Sequence, residues 1–181
     1  MMKLKLMIVL AIASISQAAE WTAPVHVLHE FKPCVTYRAK LDGEYLVVQA
    51  TIQPGWHSFA IDNERRAAEK LAGKPSLGID QPTILKVQNG LEVAGPWHQT
   101  PPRDFSKPEL RWYSWGFEQQ STFASKIRRT GSGPVQIDIR GQACSDKTCK
   151  NIDVSISMPL IAPAESSTTL DLKTLVQVQA R

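Results

Sequence analysis

Apolar and polar residues alternate along much of the chain, and a period of two is typical of half-buried β-strands. The clearest alternation runs through residues 45–53, where every second residue from Leu46 to Ile52 is apolar. Pro54 and Gly55 then turn the chain, and residues 56–61 begin another extended segment. The pattern therefore predicts two strands joined by a tight turn.

One segment, residues 62–74, departs from this pattern. Asp62 or Asn63 can cap a helix, strong helix formers follow, and Gly73 can end it. Because the segment contains few apolar residues, we expect a short helix on the surface between strands.

Further strands are predicted at residues 82–93, which contain the turn signal Asn89-Gly90, and at residues 121–128. The Pro-rich stretch 95–110 between them predicts irregular structure. Many short strands separated by Gly, Pro and Asn turns favour an all-β fold, an antiparallel β-sandwich with a short inserted helix.

The 181 residues are most simply one domain with a targeting segment. Residues 1–19 are typical of a secretory signal peptide, because two lysines precede a short apolar run that ends in small residues. That run is shorter than the roughly 20 residues of a membrane span. We therefore expect a sandwich domain at residues 20–162, a C-terminal tail or short helix at residues 163–181, and a soluble, exported protein.

The charge of the chain changes once the signal peptide is set aside. The formal net charge of +4 falls to +2, because the signal peptide holds two lysines and no acidic residue. A nearly neutral mature chain argues against nucleic acid or an acidic membrane surface as the partner.

Residues 135–158 have the pattern of a β-hairpin whose turn carries two cysteines. If Cys144 lies opposite Cys149, then Ile139 faces Val154 and every inward residue of one strand meets an inward residue of the other. The cysteines have the opposite parity from these core residues. We therefore expect both on the outer face or rim, within reach of another protein.

Three kinds of chemistry fit this pair. Export favours a disulfide, yet closing a six-residue ring stabilises the fold by only about 2 kcal/mol in the loop-entropy model. Lys147 and Lys150 favour a reactive thiolate, whereas Asp146 opposes it. The residues alone leave reversible exchange, an inert staple and a thiolate site for a soft metal such as Cu(I) as alternatives, in that order.

Other candidate residues have structural interpretations. Cys34 is expected to be a buried small hydrophobe, and His57 to pack with Trp56 at a strand edge. In the aromatic cluster, Tyr113 shares one strand face with Trp115 and Phe117, which favours a core position for these three residues, while Trp112 points to the other face.

Four stretches in sequence order resemble the N-terminal periplasmic domain of the DsbD family of thiol:disulfide interchange proteins. The likeness covers approximately residues 40–160, and the stretches are PGWHSFAID, GLEVAGPWHQTPPRDF, YSWGFE and GQACSDKTC. The resemblance implies an immunoglobulin-like sandwich, secreted across the inner membrane into the periplasm, that passes electrons to periplasmic proteins by thiol–disulfide exchange. We expect no cofactor and no closed zinc site, because the sequence has no His-x3-His pair on a helix and no tight Cys/His cluster. The resemblance also implies that Cys149 forms the mixed disulfide with partners, that Cys144 resolves it, and that Trp112 and Tyr113 belong to a cap or docking loop.

The sequence also departs from the family pattern. KNID follows Cys149, where many members have an aromatic residue or Leu and prolines, and the loop is one residue shorter than in the best-known member. Because the membrane conduit and the thioredoxin-like domain of the full-length family are absent, the electron donor is expected to be a separate thioredoxin-like or membrane protein. The acceptors would be periplasmic proteins with disulfides.

The sequence therefore predicts a thiol:disulfide oxidoreductase-type exchange module. The alternative is a non-catalytic immunoglobulin-like protein-binding module whose hairpin disulfide is structural, and Cu(I) binding ranks below both. The direction of electron flow, the reduction potential, the oligomeric state and the role of Cys34 do not follow from the sequence.

Overall fold

The computed structural model describes residues 20–74, 80–160 and 169–179, and these residues form a two-layer β-sandwich. The predicted signal peptide, residues 1–19, lies outside the described residues, as do residues 163–168 and 180–181 of the predicted C-terminal segment and residues 161–162 before it.

In chain order the strands are β1 (Val25–His29), β2 (Lys32–Asp42), β3 (Tyr45–Ile52), β4 (His57–Phe59), β5 (Ile84–Gln88), β6 (Leu91–Gln99), β7 (Arg103–Asp104), β8 (Trp115–Phe117), β9 (Gln120–Arg129), β10 (Val135–Cys144), β11 (Cys149–Met158) and β12 (Val176–Gln177). The helix α1 (Asn63–Leu71) lies between β4 and β5, and 3₁₀ turns cover Pro108–Leu110 and Leu172–Thr174.

The described strand pairs are all antiparallel and form two sheets. Sheet 1 has the order β1-β2-β3-β9-β6-β12. Sheet 2 has the order β11-β10-β4-β8-β7, and β5 pairs with β10 further along the same edge as β4. The predicted immunoglobulin-like antiparallel sandwich with one short helix is confirmed.

The core fills the space between the two sheets. The predicted alternation in β3 is confirmed, because Leu46, Val48 and Ala50 are fully buried. From sheet 2, Ile137 and Ile139 are equally buried and belong to the same apolar cluster. Inward residues of both sheets therefore pack into one core, as burial of the apolar face of each sheet requires.

The predicted surface helix forms at residues 63–71, but its ends differ from the expectation. The Asp62 side chain makes no capping bond; its carboxylate accepts hydrogen bonds from Arg66 Nε at 2.9 Å and Gln99 Nε2 at 2.7 Å. The helix ends with Ala72 in the left-handed conformation, one residue before Gly73. Asp62 therefore ties the helix to β6 in sheet 1.

The turn at Asn89-Gly90 forms where the sequence predicted a turn, with φ of 57° and 63°. The strands on either side do not pair with each other, because β5 pairs with β10 in sheet 2 and β6 pairs with β9 in sheet 1. The turn therefore carries the chain from one sheet to the other.

The C-terminal segment is peripheral, and it adds a short strand to the edge of sheet 1. Val176 pairs with Gln99, and Val178 N donates to Trp97 O at 2.8 Å. Further upstream, Thr169 donates through its backbone N–H and its hydroxyl to the Asp42 carboxylate. These bonds fasten the described part of the segment to the sandwich.

Gly116 in β8 allows a close approach of two strands that positions β4. A Cβ atom at this residue would lie 2.0 Å from Ser58 O and 3.2 Å from Phe59 Cα, both of which are backbone atoms. We expect Gly116→Ala to lower the free energy of unfolding by at least ~3 kcal/mol, because backbone cannot move aside as a flexible side chain can. Urea denaturation measures this change.

Gly133→Ala is the matched control, because a Cβ atom there meets nothing within 4 Å. It should change stability by no more than about 0.5 kcal/mol. Equal stability of the two variants would contradict the close approach at Gly116.

Candidate functional site

The cysteine hairpin has the register that the sequence predicted. Cys144 lies opposite Cys149, and Ile139 lies opposite Val154. Ile137 opposite Ile156 and Val135 opposite Met158 continue the same register without a break. The pairing of inward apolar residues therefore fixes which residues meet at the turn.

A short polar turn closes the hairpin. Ser145 N donates to Thr148 O at 2.8 Å, and the Ser145 hydroxyl accepts from the backbone N–H groups of Lys147 and Thr148. Because hydrogen-bonded and non-hydrogen-bonded pairs alternate along antiparallel strands, the next pair inward is a close non-hydrogen-bonded pair. Cys144 and Cys149 form that pair, with Cα atoms 4.0 Å apart and a disulfide bond between them.

The two sulfur-bearing residues differ sharply in accessibility. Cys149 is exposed, whereas Cys144 is only 3% exposed. The expectation that a partner can reach both cysteines is therefore wrong for Cys144. Cys144 does lie on the outer face of sheet 2, as predicted, because its neighbour Ala143 belongs to the core between the sheets. It is nevertheless buried, because β10 has a strand on each side at this point.

The outer face of sheet 2 carries its own apolar layer beside Cys144. His57 lies directly opposite Cys144 on the strand across from Cys149, so the three residues form one row. The His57 ring contacts the Phe59 ring edge-on at 5.3 Å and stacks on the Phe105 ring at 4.9 Å. Cys144 is therefore flanked by Cys149 on one side and, on the other, by a histidine that packs against two phenylalanine rings.

His57 packs against Phe59 and Phe105, and not against Trp56 as the sequence predicted. The ring that contacts Trp56 is that of His29, with centroids 5.1 Å apart. His57 and Phe59 lie on either side of the buried Ser58 in one strand. Because side chains alternate between the two faces of a strand, the sequence indicates that these two rings share a face. The contact with Phe105 had no such signal, because it lies in the Pro-rich stretch.

Phe105 belongs to an arm formed by residues 103–115. β7 pairs with β8 at the base of this arm, Phe105 N donates to Ser114 O at 2.8 Å, and Lys107 pairs with Trp112 near its tip. The Arg103 guanidinium lies 5.5 Å from the centroid of the Phe105 ring. These bonds hold the Phe105 ring against His57.

The two predicted cap residues lie in the same arm but in different surroundings. Trp112 is half-buried; its indole N–H donates to the Asp80 carboxylate, and the Lys107 ammonium lies 5.0 Å from its ring centroid. Tyr113 packs against the core and lines a groove beside α1. The ring that the structure places next to the cysteine row is that of Phe105, and a cap role for Trp112 and Tyr113 stays a prediction.

The electrostatics of the row centre on His57. Burial lowers the pKa of the His57 imidazole below its ordinary value, and the carboxylates of Asp80, Glu118 and Asp146 oppose this shift. The Lys107 ammonium adds to the lowering of this pKa. At neutral pH the imidazole next to Cys144 is therefore uncharged and can accept a proton.

Three charged residues lie close to Cys149 in the sequence. Lys147 and Lys150, which were expected to favour a thiolate, are exposed, and so is Asp146. Their effect on the reactivity of the Cys149 thiol stays a prediction.

The third cysteine, Cys34, is free and buried, as the sequence predicted. Its sulfur donates to Val27 O at 3.3 Å. Burial raises the pKa of the Cys34 thiol, while backbone hydrogen bonds and the Lys150 ammonium partly offset this. A neutral, enclosed thiol is a poor nucleophile, so Cys34 is not a candidate for thiol exchange.

Within the described ranges, no three His, Cys, Asp or Glu residues come together as a metal site would require. Among the same residues, no helix is both long and apolar enough to cross a membrane.

Comparison with known proteins finds structural similarity but no sequence match. No protein-family model and no curated protein matches the sequence. The reduced DsbD N-terminal domain of Neisseria meningitidis is similar at 9% identity and a TM-score of 0.49, over 81% of this chain and 91% of that chain.

Two other structures show weaker likeness. The complex of the DsbD and PilB N-terminal domains from Neisseria meningitidis matches at 7% identity and a TM-score of 0.43, over 78% of this chain and 96% of that chain. The GAE domain of GGA2p from Saccharomyces cerevisiae matches at 7% identity and a TM-score of 0.39, over 77% of this chain and 100% of that chain. Likenesses at this level carry no information on function.

The difference in burial predicts a difference in reactivity. After reduction, we expect iodoacetamide to alkylate Cys149 at least ~10-fold faster than Cys144, because a local opening that costs about 1.4 kcal/mol already slows a reaction tenfold. Mass spectrometry of the digested protein over time measures both rates. Cys34 serves as the buried internal control, and equal rates at Cys144 and Cys149 would contradict the asymmetry.

Proposed function

We propose that the protein is a thiol:disulfide interchange module that reacts through Cys149 and Cys144. The observation that carries this proposal is the disulfide between one exposed and one buried cysteine on adjacent strands. The exposed sulfur can be reached by another protein, and the buried sulfur is held within bonding distance of it.

In the reduced protein, the Cys149 thiolate attacks one sulfur of a partner disulfide. A mixed disulfide forms, and the other sulfur of the partner leaves as a thiolate and takes up a proton. Because Cys149 is exposed and Cys144 is not, we assign the intermolecular bond to Cys149.

The second step releases the partner. Cys144 loses its proton and attacks the Cys149 sulfur, which forms the Cys144–Cys149 disulfide and expels the second partner sulfur as a thiolate. Two electrons have then passed from this protein to the partner, whose two sulfurs are both reduced. The reverse sequence regenerates the dithiol when a more reducing dithiol protein is the partner.

His57 is the proton acceptor that we infer for the second step. It lies opposite Cys144, and its lowered pKa keeps it uncharged at neutral pH. Phe59 and Phe105 pack against its ring and limit the access of water to the buried thiol. An adjacent base raises the reactive fraction of a thiol that burial alone would hold protonated.

The partners that suit this chemistry are proteins with accessible disulfides or dithiols. We propose a separate thioredoxin-like or membrane protein as the electron donor and disulfide-bonded periplasmic proteins as acceptors. An exported location agrees with this role, since disulfides form and persist in oxidising compartments.

Single cysteine variants test the proposal. Cys144→Ser removes the resolving sulfur, so we expect it to accumulate a mixed disulfide through Cys149 when mixed with a thioredoxin-like protein that keeps one active-site cysteine, linked to glutathione. The glutathione leaves as the thiolate, and the partner then has no second cysteine to reverse the step. Cys149→Ser should not accumulate a mixed disulfide, because Cys144 is buried. Non-reducing electrophoresis and mass spectrometry identify the linked residues.

The double variant Cys144→Ser/Cys149→Ser retains only Cys34 and is the control for trapping by the buried thiol. If Cys144→Ser forms no mixed disulfide with the glutathione-linked protein or with oxidised glutathione, the protein is a binding module with an inert staple.

His57 gives a separate prediction for the second step. We expect His57→Phe, which keeps an aromatic ring in the row, to lengthen the lifetime of the mixed disulfide at least ~10-fold, because general-base assistance commonly contributes more than this. The rate of the first step should not change. In the unmodified protein, release should slow as pH falls through the His57 pKa, since the protonated imidazole cannot accept a proton.

Quenched-flow sampling of the mixed disulfide across pH separates the two steps. His26→Gln replaces an exposed histidine on β1 and serves as the control. Release from His57→Phe at the unmodified rate, with the same pH profile, would show that His57 only packs.

A further inference from the structure

The turn between β1 and β2 carries an aromatic residue that local structure does not favour. His29 pairs with Lys32, so Glu30 and Phe31 are the two central residues, with φ of 49° and 64°. A two-residue turn with positive φ at both positions usually holds Asn and Gly, because a bulky side chain is strained in the left-handed region. The Phe31 side chain gains nothing from packing either, since the residue is 97% exposed.

This turn lies at the same end of the sandwich as the exposed sulfur. Cys34, three residues after Phe31, is close enough to Lys150 for the ammonium to act on its thiol, and Lys150 directly follows Cys149. Cys34 lies in β2 and Lys150 in β11, and β11 is in contact with both β1 and β2. The turn and the cysteine hairpin therefore project side by side.

A second chain of contacts leads to the same conclusion. The His29 ring meets the Trp56 ring at 5.1 Å, and Trp56 directly precedes His57, which lies opposite Cys144. The aromatic turn is therefore connected through two ring-bearing residues to the row of the disulfide.

The distance between Phe31 and the cysteine hairpin fits within a single protein–protein interface. Three extended residues span about 10 Å, so Phe31 lies within roughly 10 Å of Cys34 along the chain. A typical protein interface covers about 800 Å² on each partner, which corresponds to a circle about 32 Å across. A protein that places its sulfur on Cys149 therefore extends over the β1–β2 turn as well.

We propose that Phe31 is a docking anchor for the protein whose disulfide exchanges with Cys149. The occupant to which this proposal commits is a thioredoxin-like domain that contacts the Phe31 ring through an apolar surface beside its own active-site disulfide. The inference rests on the proposed function, since the reacting sulfur fixes where the partner sits. Exposed aromatic residues are the side chains that most often dominate such interfaces.

The exposed charges around the anchor are mixed, with an excess of basic groups. Lys32, Lys147 and Lys150 are exposed at this end, against Glu30 and Asp146. A partner with acidic residues at the rim of its apolar surface is complementary to this arrangement, and such charges mainly speed association.

Phe31→Gly separates docking from folding and from thiol chemistry. Glycine suits the left-handed turn position, so the melting temperature should stay the same or rise. The rate constant for the reduced protein with oxidised thioredoxin should fall about tenfold or more, because an anchor contact is lost. The rate constant with oxidised glutathione, which has no apolar protein surface to dock on Phe31, should not change.

Two controls complete the experiment. Val93→Ser removes an exposed apolar side chain at the opposite end of sheet 1 and should leave both rate constants unchanged. Phe31→Trp keeps a large aromatic ring and should retain most of the rate with thioredoxin.

The outcomes are distinguishable. If the unmodified protein reacts with neither oxidant, the proposed function fails. If it reacts with both and Phe31→Gly slows neither or slows both equally, the docking inference is overturned. Concentration-dependent dimers in analytical ultracentrifugation that Phe31→Gly abolishes would show that the anchor serves a second copy of this chain, and would also overturn it.

Discussion

The register of β10 with its two neighbouring strands is the constraint on which the candidate site depends. It aligns His57, Cys144 and Cys149 in a single row across three strands of sheet 2. A slip of one residue would turn the cysteines toward the core and the isoleucines of the hairpin toward solvent. Burial of those isoleucines therefore holds the sulfurs in place, far more firmly than the disulfide holds the strands.

The two cysteines of the row differ in exposure, and the proposed order of the two exchange steps depends on this difference. Cys149 lies in an edge strand and is open to solvent, whereas Cys144 lies in β10, between β11 and β4, and is buried. An intermolecular bond can form at the first sulfur without any change in the fold. The second sulfur can attack only a neighbour that is already there, which is the bond at Cys149.

The sequence predicted the parts of this arrangement that depend on local pattern. The strand alternation and the complete register of the hairpin follow from the spacing of apolar residues, and the helix at residues 63–71 follows from its run of strong helix formers. The burial of Cys144 could not be predicted in this way, because it depends on which elements pack beside the hairpin. His57 of β4 pairs with Cys144, and the Phe105 ring that stacks on His57 comes from 39 residues before Cys144 in the chain. The Asn89-Gly90 turn shows the same limit, since turn chemistry does not determine which sheet each flanking strand joins.

A hairpin whose shape does not rely on its disulfide suits reversible exchange. The six-residue ring contributes about 2 kcal/mol at most in the loop-entropy model, while the strand pairs and the Ser145–Thr148 turn hold the same residues together in either redox state. Reduction therefore leaves Cys144 and Cys149 opposite each other, ready to bond again. A structural staple would gain most where it joins segments that nothing else brings together, and here neighbouring strands already do so. The placement of the bond is better explained by the access that it gives to one sulfur than by the stability that it adds.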